Sequence, residues 1–333
     1  MSLLPIAALF ILFSINIPVA FSLLSATLVY FNFINTQMPV DMIFQRLIAS
    51  AESFPLLAVP FFITAGSVMN YSGISTRLMD MAEVLSGHLK GGLAQVNVVL
   101  STLMGGVSGS ANADAAMESK ILVPQMVKRG FPLAFSGAIT AASAVISPII
   151  PPGIGLIIYA FLANVSVGKM FVAGYIPGLL MCAALMIAVD IIAKRRGYRP
   201  IRETRARFPE ILKQTYRSSW ALFLPFGIIL GLRFGMFTPT EAGAMSVFYA
   251  LIVGFFVYRE LKPSHIPKIL VESVLGTAGV MLIICAASAF GYYMSWERLP
   301  QMISEYLIGL TSNPIILLLI INAFLLFIGM FIE

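Results

Sequence analysis

The sequence predicts an all-α polytopic membrane protein built from inverted repeats, with re-entrant helical hairpins and broken transmembrane helices. Three observations lead to this fold class. Of the 333 residues, 59% are hydrophobic and only 11% are charged, whereas about a quarter of the residues in soluble domains are charged. Two short polar strings interrupt long apolar runs, and the order of helices and turns repeats within the chain.

Apolar stretches of helical length recur along the whole chain, and the mean hydropathy is +0.93. Several of these stretches are shorter than the roughly 20 residues that a full membrane span requires. Membrane helices are expected at residues 3–16, 18–34, 50–71, 92–106, 133–162, 171–192, 219–236, 240–258, 272–294 and 314–331.

Positive charge is concentrated in segment 194–217, which carries nine Lys or Arg residues against two Glu residues. Loops rich in Lys and Arg stay in the cytoplasm, so this segment is expected inside the cell. The N-terminus is then expected outside, provided that residues 92–125 form a re-entrant hairpin. The net charge of +6 is explained by this topology, so no nucleic-acid partner is predicted.

An internal repeat supports this layout. Pro18 and Pro239 each lie in a turn between two apolar helices. The sequence separation between these two prolines differs by only two residues from the separation between Gly106 and Gly329. Amphipathic segments at 74–90 and 295–310 occupy matching places, which argues for a duplication. Because the first unit is expected to start outside and the second inside, the repeats are inverted, as in many secondary transporters.

The repeat sets the predicted domain boundaries. The second unit ends where its hairpin is expected to turn, so we expect a complete unit to continue for about 80 more residues. The first repeat covers 1–193, with scaffold helices at 1–72, an arm at 73–90, a hairpin at 91–130, a broken helix at 133–162 and a helix at 171–192; a basic linker covers 194–217, and the second repeat covers 218–333.

The two polar strings predict an ion site inside the membrane. Helices break at membrane depth only where protein or a water-filled cavity covers the break, and broken helices supply free carbonyls to ions in secondary transporters. Sodium prefers several oxygen ligands, which Ser and Asn side chains and unwound backbone can provide. The predicted sodium ligands are Ser108, Gly109, Ser110, Asn112, Ser147, Ile149, Pro151 and Gly153.

Each of these residues also has a structural interpretation. Small residues such as Ser and Gly permit close packing of helices in membranes. Asp114 lies four residues after Ser110 and could organise the hydroxyl groups or bind substrate together with Ser108 and Ser110. It could equally cap the returning arm of the hairpin. Glu241 follows a Thr-Pro pair at a helix start, where capping is the favoured interpretation.

Five strings occur in the order found in one transporter family. The chain resembles the large membrane subunit of tripartite ATP-independent periplasmic (TRAP) transporters. The strings are Gly91-Gly92-Leu93-Ala94, Ser108-Gly109-Ser110-Ala111, Ile150-Pro151-Pro152-Gly153, Ile176-Pro177-Gly178-Leu179 and Phe237-Thr238-Pro239-Thr240-Glu241-Ala242.

The resemblance implies a sodium-driven importer of organic acids such as sialic acid or C4-dicarboxylates, and not an enzyme. It implies an elevator mechanism of the ion-transporter-superfamily type and a multi-pass location in the bacterial inner membrane, with a periplasmic N-terminus. The implied coupling ion is Na⁺. The implied partners are a small four-helix TRAP membrane subunit, a periplasmic substrate-binding protein, the organic acid and the lipid bilayer.

Two functions from other classes remain as alternatives. A passive channel or structural membrane subunit is compatible with the helix pattern. The string from Gly106 to Gly109 also matches the GxSG pattern of rhomboid-type intramembrane serine proteases. That chemistry requires a histidine that activates the serine, and the sequence offers only His88 and His265, both in polar connections.

Overall fold

The computed structural model describes residues 3–35, 39, 41–106, 109–311 and 313–329. Over these residues it consists of α-helices with short π-helical and 3-10 segments, and it contains no β-strand. The all-α prediction is therefore confirmed. The helices are α1 (Leu4–Ser14), α2 (Val19–Val29), α3 (Asp41–Ala51), α4 (Ala58–Tyr71), α5 (Ile74–Ser86), α6 (Leu93–Gly105), α7 (Ala111–Lys128), α8 (Leu133–Ala144), α9 (Ile154–Leu162), α10 (Val167–Arg196), α11 (Phe208–Arg217), α12 (Ser219–Arg233), α13 (Pro239–Ile252), α14 (Ile266–Trp296), α15 (Leu299–Leu310) and α16 (Pro314–Gly329).

Among the described residues, four helical segments are long and apolar enough to cross a membrane. Shorter apolar helices include α1, α6, α8 and the first fourteen residues of α12. The four long segments are Phe54–Tyr71, Val167–Arg196, Pro239–Val257 and Pro263–Trp296.

Two helices, α3 and α11, form where the sequence predicted only polar connections. Both alternate apolar and charged residues at helical spacing, so a search for continuous apolar runs does not find them. Helix α10 also extends beyond the predicted 171–192, because Ser166 caps its start and three basic residues occupy its last turn, where positive charge stabilises a helix.

The chain divides into two compact units, which are Met1–Ala51 with Val280–Glu333, and Glu52–Gly279. These units group residues by spatial contact, whereas the predicted repeats group them by sequence pattern. The repeat boundaries and their inverted orientation stay predictions.

The core of the first unit is aromatic. Tyr30 and Phe31 at the end of α2 pack with Phe290 and Tyr293 of α14. The Tyr30 and Tyr293 rings lie 4.6 Å apart between centroids. The Tyr30 hydroxyl donates a hydrogen bond of 2.6 Å to Glu297, so this core combines aromatic packing with one directed polar contact.

In the second unit, α4 and α13 form the most extensive helix pair among the described residues. Gly243 of α13 lies against Phe61 of α4, and the Thr240 hydroxyl donates to the Phe54 carbonyl at 3.0 Å. Thr238 and Glu241 form a reciprocal capping box at the start of α13. The capping interpretation of Glu241 is therefore confirmed.

Helix α5, within the predicted arm, is attached at its first turn. Arg77 forms an ion pair with Glu260 and lies over the Tyr258 ring, 4.2 Å from its centroid. The Ser218 hydroxyl donates to the Arg77 carbonyl at 3.0 Å. These contacts join α5 to the segment after α13 and to the junction of α11 and α12.

Candidate functional site

Helices α6 and α7 form a helical hairpin. Residues 106–110 connect them, of which 107 and 108 lie outside the described residues. Gly109 has a φ of +60°, a left-handed conformation that costs other L-residues about 1–2 kcal/mol. Ser110 starts α7 and its hydroxyl accepts the Ala113 N–H at 3.4 Å. Short polar residues therefore allow the chain to reverse and to cap the returning arm.

The helix predicted at 133–162 is broken, with α8 and α9 on either side of residues 145–153. Pro151 and Pro152 have no N–H group to donate, and the peptide between them is cis. Among the described residues, no backbone or side-chain donor reaches the carbonyl oxygens of residues 147–152. Within the part of the chain that the structure describes, the break therefore presents a run of carbonyl groups that accept no hydrogen bond.

The tip of the hairpin lies directly on this break. A Cβ atom at Gly109 would be 2.4 Å from the Pro152 carbonyl oxygen, and one at Gly105 would be 2.9 Å from the Ile150 Cβ. Neither position therefore has room for a side chain in this arrangement. The two polar strings, from which the sequence predicted one ion site, are in contact where Gly109 lies next to Pro152 and Gly153.

A buried polar network, which sequence reasoning missed, connects the hairpin to α8. The Asn97 side chain of α6 donates to the Thr140 hydroxyl of α8 at 2.7 Å, and the Ser143 hydroxyl donates to the Asn97 side-chain oxygen at 3.0 Å. All three residues are at most 3% exposed. Paired polar groups of this kind fix the register of two helices, because leaving either one unpaired is costly.

The network continues between the two arms of the hairpin. The Ser101 hydroxyl lies 2.8 and 2.9 Å from the two carboxyl oxygens of Glu118, and Glu118 is fully buried. The Ser147 hydroxyl donates to the Ser101 carbonyl at 3.1 Å. The break is thus attached to the middle of α6 as well as to the hairpin tip.

A periodic signal for this network is present in the sequence. Polar residues recur at helical spacing on each apolar segment, as Asn97 and Ser101 on α6, and as Thr140, Ser143 and Ser147 at and after α8. Residues spaced by three or four lie on one helix face. A search for polar stripes, in addition to polar strings, would have found these faces but not their pairing.

The structure places the other predicted site residues in different surroundings. Asp114 is 1% exposed in the first turn of α7, and its N–H donates to the Ser110 carbonyl at 3.1 Å. Ser110 is half-buried and Asn112 is exposed. Pro151 and Gly153 are buried in the break, and Ser108 lies outside the described residues.

The Ile149 carbonyl oxygen is directed at helix α10. A Cβ atom at Gly174 would lie 2.3 Å from it, and one at Gly178 would lie 2.5 Å from the Ile150 side chain. Two glycines, one turn apart on α10, therefore allow the break to approach this helix closely. Of the two histidines, His265 packs against the Tyr71 ring in a tilted arrangement, with 5.3 Å between ring centroids, and its Nδ1 accepts the Lys262 N–H at 3.3 Å.

Comparisons with known proteins agree with one another. Residues 6–333 match the family model described as tripartite ATP-independent periplasmic transporter, DctM component. The chain is 40% identical to the sialic acid TRAP transporter large permease protein SiaM of Vibrio cholerae, over 96% of the chain and 74% of that protein. It is 37% identical to the 2,3-diketo-L-gulonate TRAP transporter large permease protein YiaN of Escherichia coli, over 96% and 75%.

A third relative has a different substrate in its name. The chain is 36% identical to the C4-dicarboxylate TRAP transporter large permease protein DctM of Pseudomonas aeruginosa, over 86% of the chain and 67% of that protein. These relatives are named as transporter permeases and not as enzymes.

Proposed function

Because the chain belongs to the DctM-component family of TRAP transporters, and is therefore an integral inner-membrane permease subunit, we propose that it uses a sodium gradient to import a small organic acid. One observation supports this proposal above the others. The tip of the hairpin packs on a helix break whose carbonyl oxygens have no partner among the described residues.

This arrangement suits a hard monovalent cation. Sodium is held by oxygen atoms, and the break supplies uncharged carbonyl oxygens, while Ser147 within the break and Ser110 next to the hairpin tip each carry a hydroxyl oxygen. Half-helix ends and unwound backbone are the usual source of such ligands in secondary transporters. We assign the ion to this location, with Ser108, Gly109, Ser110, Asn112, Ser147, Ile149, Pro151 and Gly153 as the candidate ligands.

The substrate proposal follows the names of the relatives. Sialic acid, 2,3-diketo-L-gulonate and C4-dicarboxylates share at least one carboxylate group. We propose that such an acid binds beside the ion, where Ser108, Ser110 and Asp114 offer hydrogen-bonding groups at the start of α7. Delivery by a periplasmic binding protein and assembly with a small four-helix membrane subunit belong to the same proposal.

The polar network supports an elevator movement. Asn97, Thr140 and Ser143 join α6 to α8, and Ser101 joins α6 to both Glu118 and Ser147. Separating these helices would leave buried polar groups unpaired. We therefore propose that α6 to α9 move as one body and carry the ion and the substrate together.

Sodium binding can be tested by thermal unfolding of the purified chain in sodium and in potassium at equal ionic strength. A ligand that binds the folded state raises the unfolding temperature. We expect sodium to stabilise the wild type, and Ser147→Ala and Ser110→Ala to weaken its apparent affinity at least fivefold. Ser166→Ala is the matched control for Ser110→Ala, because Ser166 also caps a helix through a 3.4 Å bond from a backbone N–H.

Two results would contradict the proposal. Equal stabilisation by sodium and potassium would show that the chain has no sodium-selective site. An unchanged sodium affinity in Ser147→Ala would show that the site does not lie at this break. Transport is tested separately in proteoliposomes that contain the small subunit and the binding protein. Substrate that equilibrates but never accumulates against its gradient would indicate a passive channel.

A further inference from the structure

Helix α11 has three distinct faces. Ile211, Gln214 and Thr215 are half-buried, on the side that packs toward α5. An adjacent apolar stripe is formed by Phe208, Leu212 and Tyr216, which are 75%, 60% and 80% exposed. With ten residues, the helix is only about 15 Å long. It is therefore too short to cross a bilayer, and its apolar stripe marks it as a helix that lies in the membrane interface.

The remaining face of α11 is mainly basic. At 100° per residue, Lys213 and Arg217 lie on the side opposite the half-buried face, next to the apolar stripe. Glu210, on the same side, is paired with Arg202. Lys213 and Arg217 have no acidic partner among the described residues, so this surface attracts anions.

A furrow begins at this basic face and continues along α12 and α13. It consists of three successive depressions of about 680, 290 and 400 Å³, each of which shares a lining residue with the next. Ser219 lines the first and second depressions, and Phe223 lines the second and third. The first depression contains Lys213, Leu212 and Tyr216, whereas the last contains almost only apolar side chains and the glycines at positions 227 and 231.

The furrow changes from basic to apolar over a length that fits one lipid leaflet. From Ser219 to Gly231, α12 rises about 18 Å, which is close to half of the roughly 30 Å hydrocarbon core. Trp220, at the boundary, is half exposed and lines the second depression. Trp is enriched at the level of lipid headgroups. An anionic head and a long acyl chain match this order of groups.

We propose that the furrow binds an anionic phospholipid. Its phosphate lies at Lys213, which lines the first depression, with Arg217 one turn further along α11. Its glycerol region lies beside Trp220, and one acyl chain lies in the groove between α12 and α13. A single Lys or Arg near a membrane surface contributes about 1 kcal/mol to attraction of anionic lipid. The pair therefore gives a preference for anionic over zwitterionic headgroups, while the apolar groove holds either kind of chain.

The sequence provides its own reporter for this binding. The chain has two tryptophans, so Trp296→Phe leaves Trp220 as its single emitter. The full chain is reconstituted in phosphatidylethanolamine vesicles with increasing fractions of dibrominated phosphatidylglycerol or dibrominated phosphatidylethanolamine, whose bromine atoms quench a neighbouring indole. We expect the brominated anionic lipid to quench Trp220 at least threefold more effectively than the zwitterionic one.

Two charge-removal variants separate a local site from general attraction. In the double variant Lys213→Gln with Arg217→Gln, the ratio of quenching by the anionic lipid to quenching by the zwitterionic lipid should fall to near one. Arg195→Gln with Arg199→Gln removes the same number of charges from the same basic segment, away from the furrow, and should leave the preference unchanged. Equal effects of the two double variants, or equal quenching by both lipids in the wild type, would overturn the proposal.

A third variant tests the groove. Gly227→Leu places a side chain in the last depression and should reduce quenching by both lipids without changing their ratio. Unchanged quenching would show that no chain enters the groove. Cross-linking from Gly227→Cys to the small membrane subunit, with no lipid quenching of Trp220, would show that a protein helix occupies the furrow and would overturn the lipid assignment.

Discussion

The hairpin and broken helix between Leu93 and Leu162 differ from the pair of α4 and α13 in how they are held together. Helices α4 and α13 are continuous and pack mainly through apolar side chains and Gly243, with one hydrogen bond from Thr240 to the Phe54 carbonyl before α4 begins. Helices α6, α7 and α8 are held by hydrogen bonds between buried side chains, among them Asn97, Ser101 and Glu118. The two regions thus use different interactions within one membrane protein.

This difference follows from what each region contains. A continuous helix satisfies its own backbone, so its neighbours need only fit its surface. A region with a chain reversal and a break contains polar groups that must form hydrogen bonds with neighbouring helices. Because hydrogen bonds are directional, they fix which residues of the two helices are in contact. Hydrogen bonds between buried side chains therefore dominate where the backbone is interrupted, and apolar packing dominates between α4 and α13.

The largest effect is expected from Asn97→Ala. This change removes two interhelical bonds, so that Thr140 loses the Asn97 amide donor and the Ser143 hydroxyl keeps only its bond to the Thr140 carbonyl of its own helix. The loss should lower the free energy of unfolding by about 2 kcal/mol. Ser246→Ala in α13 is the control, because within the described residues the Ser246 hydroxyl bonds only to the Ala242 carbonyl of its own helix. Its loss should be about 0.5 kcal/mol or less. Unfolding in mixed detergent micelles measures both, and equal losses would refute the contrast.

The next largest effect is expected at the hairpin tip. Gly109→Ala and Gly130→Ala both place a side chain at positive φ, but a Cβ atom has open space at Gly130 and would meet the Pro152 carbonyl at Gly109. We expect Gly109→Ala to destabilise the chain by about 1–2 kcal/mol more than Gly130→Ala. Thermal unfolding of the two variants decides this. If Gly130→Ala is at least as harmful, the tip does not rest on the break as described.

The smallest effect is expected at the start of α13. Thr238→Ala removes the capping hydroxyl and should cost about 1 kcal/mol, whereas Thr238→Ser keeps the hydroxyl and should match the wild type. Because this cap belongs to a continuous helix, the change should stay local. Hydrogen exchange should accelerate in the first turn of α13 and stay unchanged in α6 to α8. Faster exchange in the hairpin would show that the two regions are coupled.

The sequence predicted where the chain reverses and breaks better than it predicted the hydrogen bonds that hold this region together. The strings around Gly109 and Pro152 marked both the reversal and the break, because Gly, Ser and Pro have strong local preferences. Helices α3 and α11 were missed, since their alternating pattern resembles a solvated loop when only apolar runs are sought. The pairing of Asn97 with Thr140 was not predictable, because helical spacing shows which face is polar but not which other face it meets.

The contact between Gly174 and the Ile149 carbonyl has a consequence for how such a protein can change during evolution. Under the proposed function, the position of the Ile149 carbonyl as an ion ligand depends on how closely the break approaches α10, and that approach requires the absence of a side chain at position 174. Cations of different radius favour cavities of different width. A substitution at position 174 can therefore change the discrimination between cations, although this residue does not contact the cation.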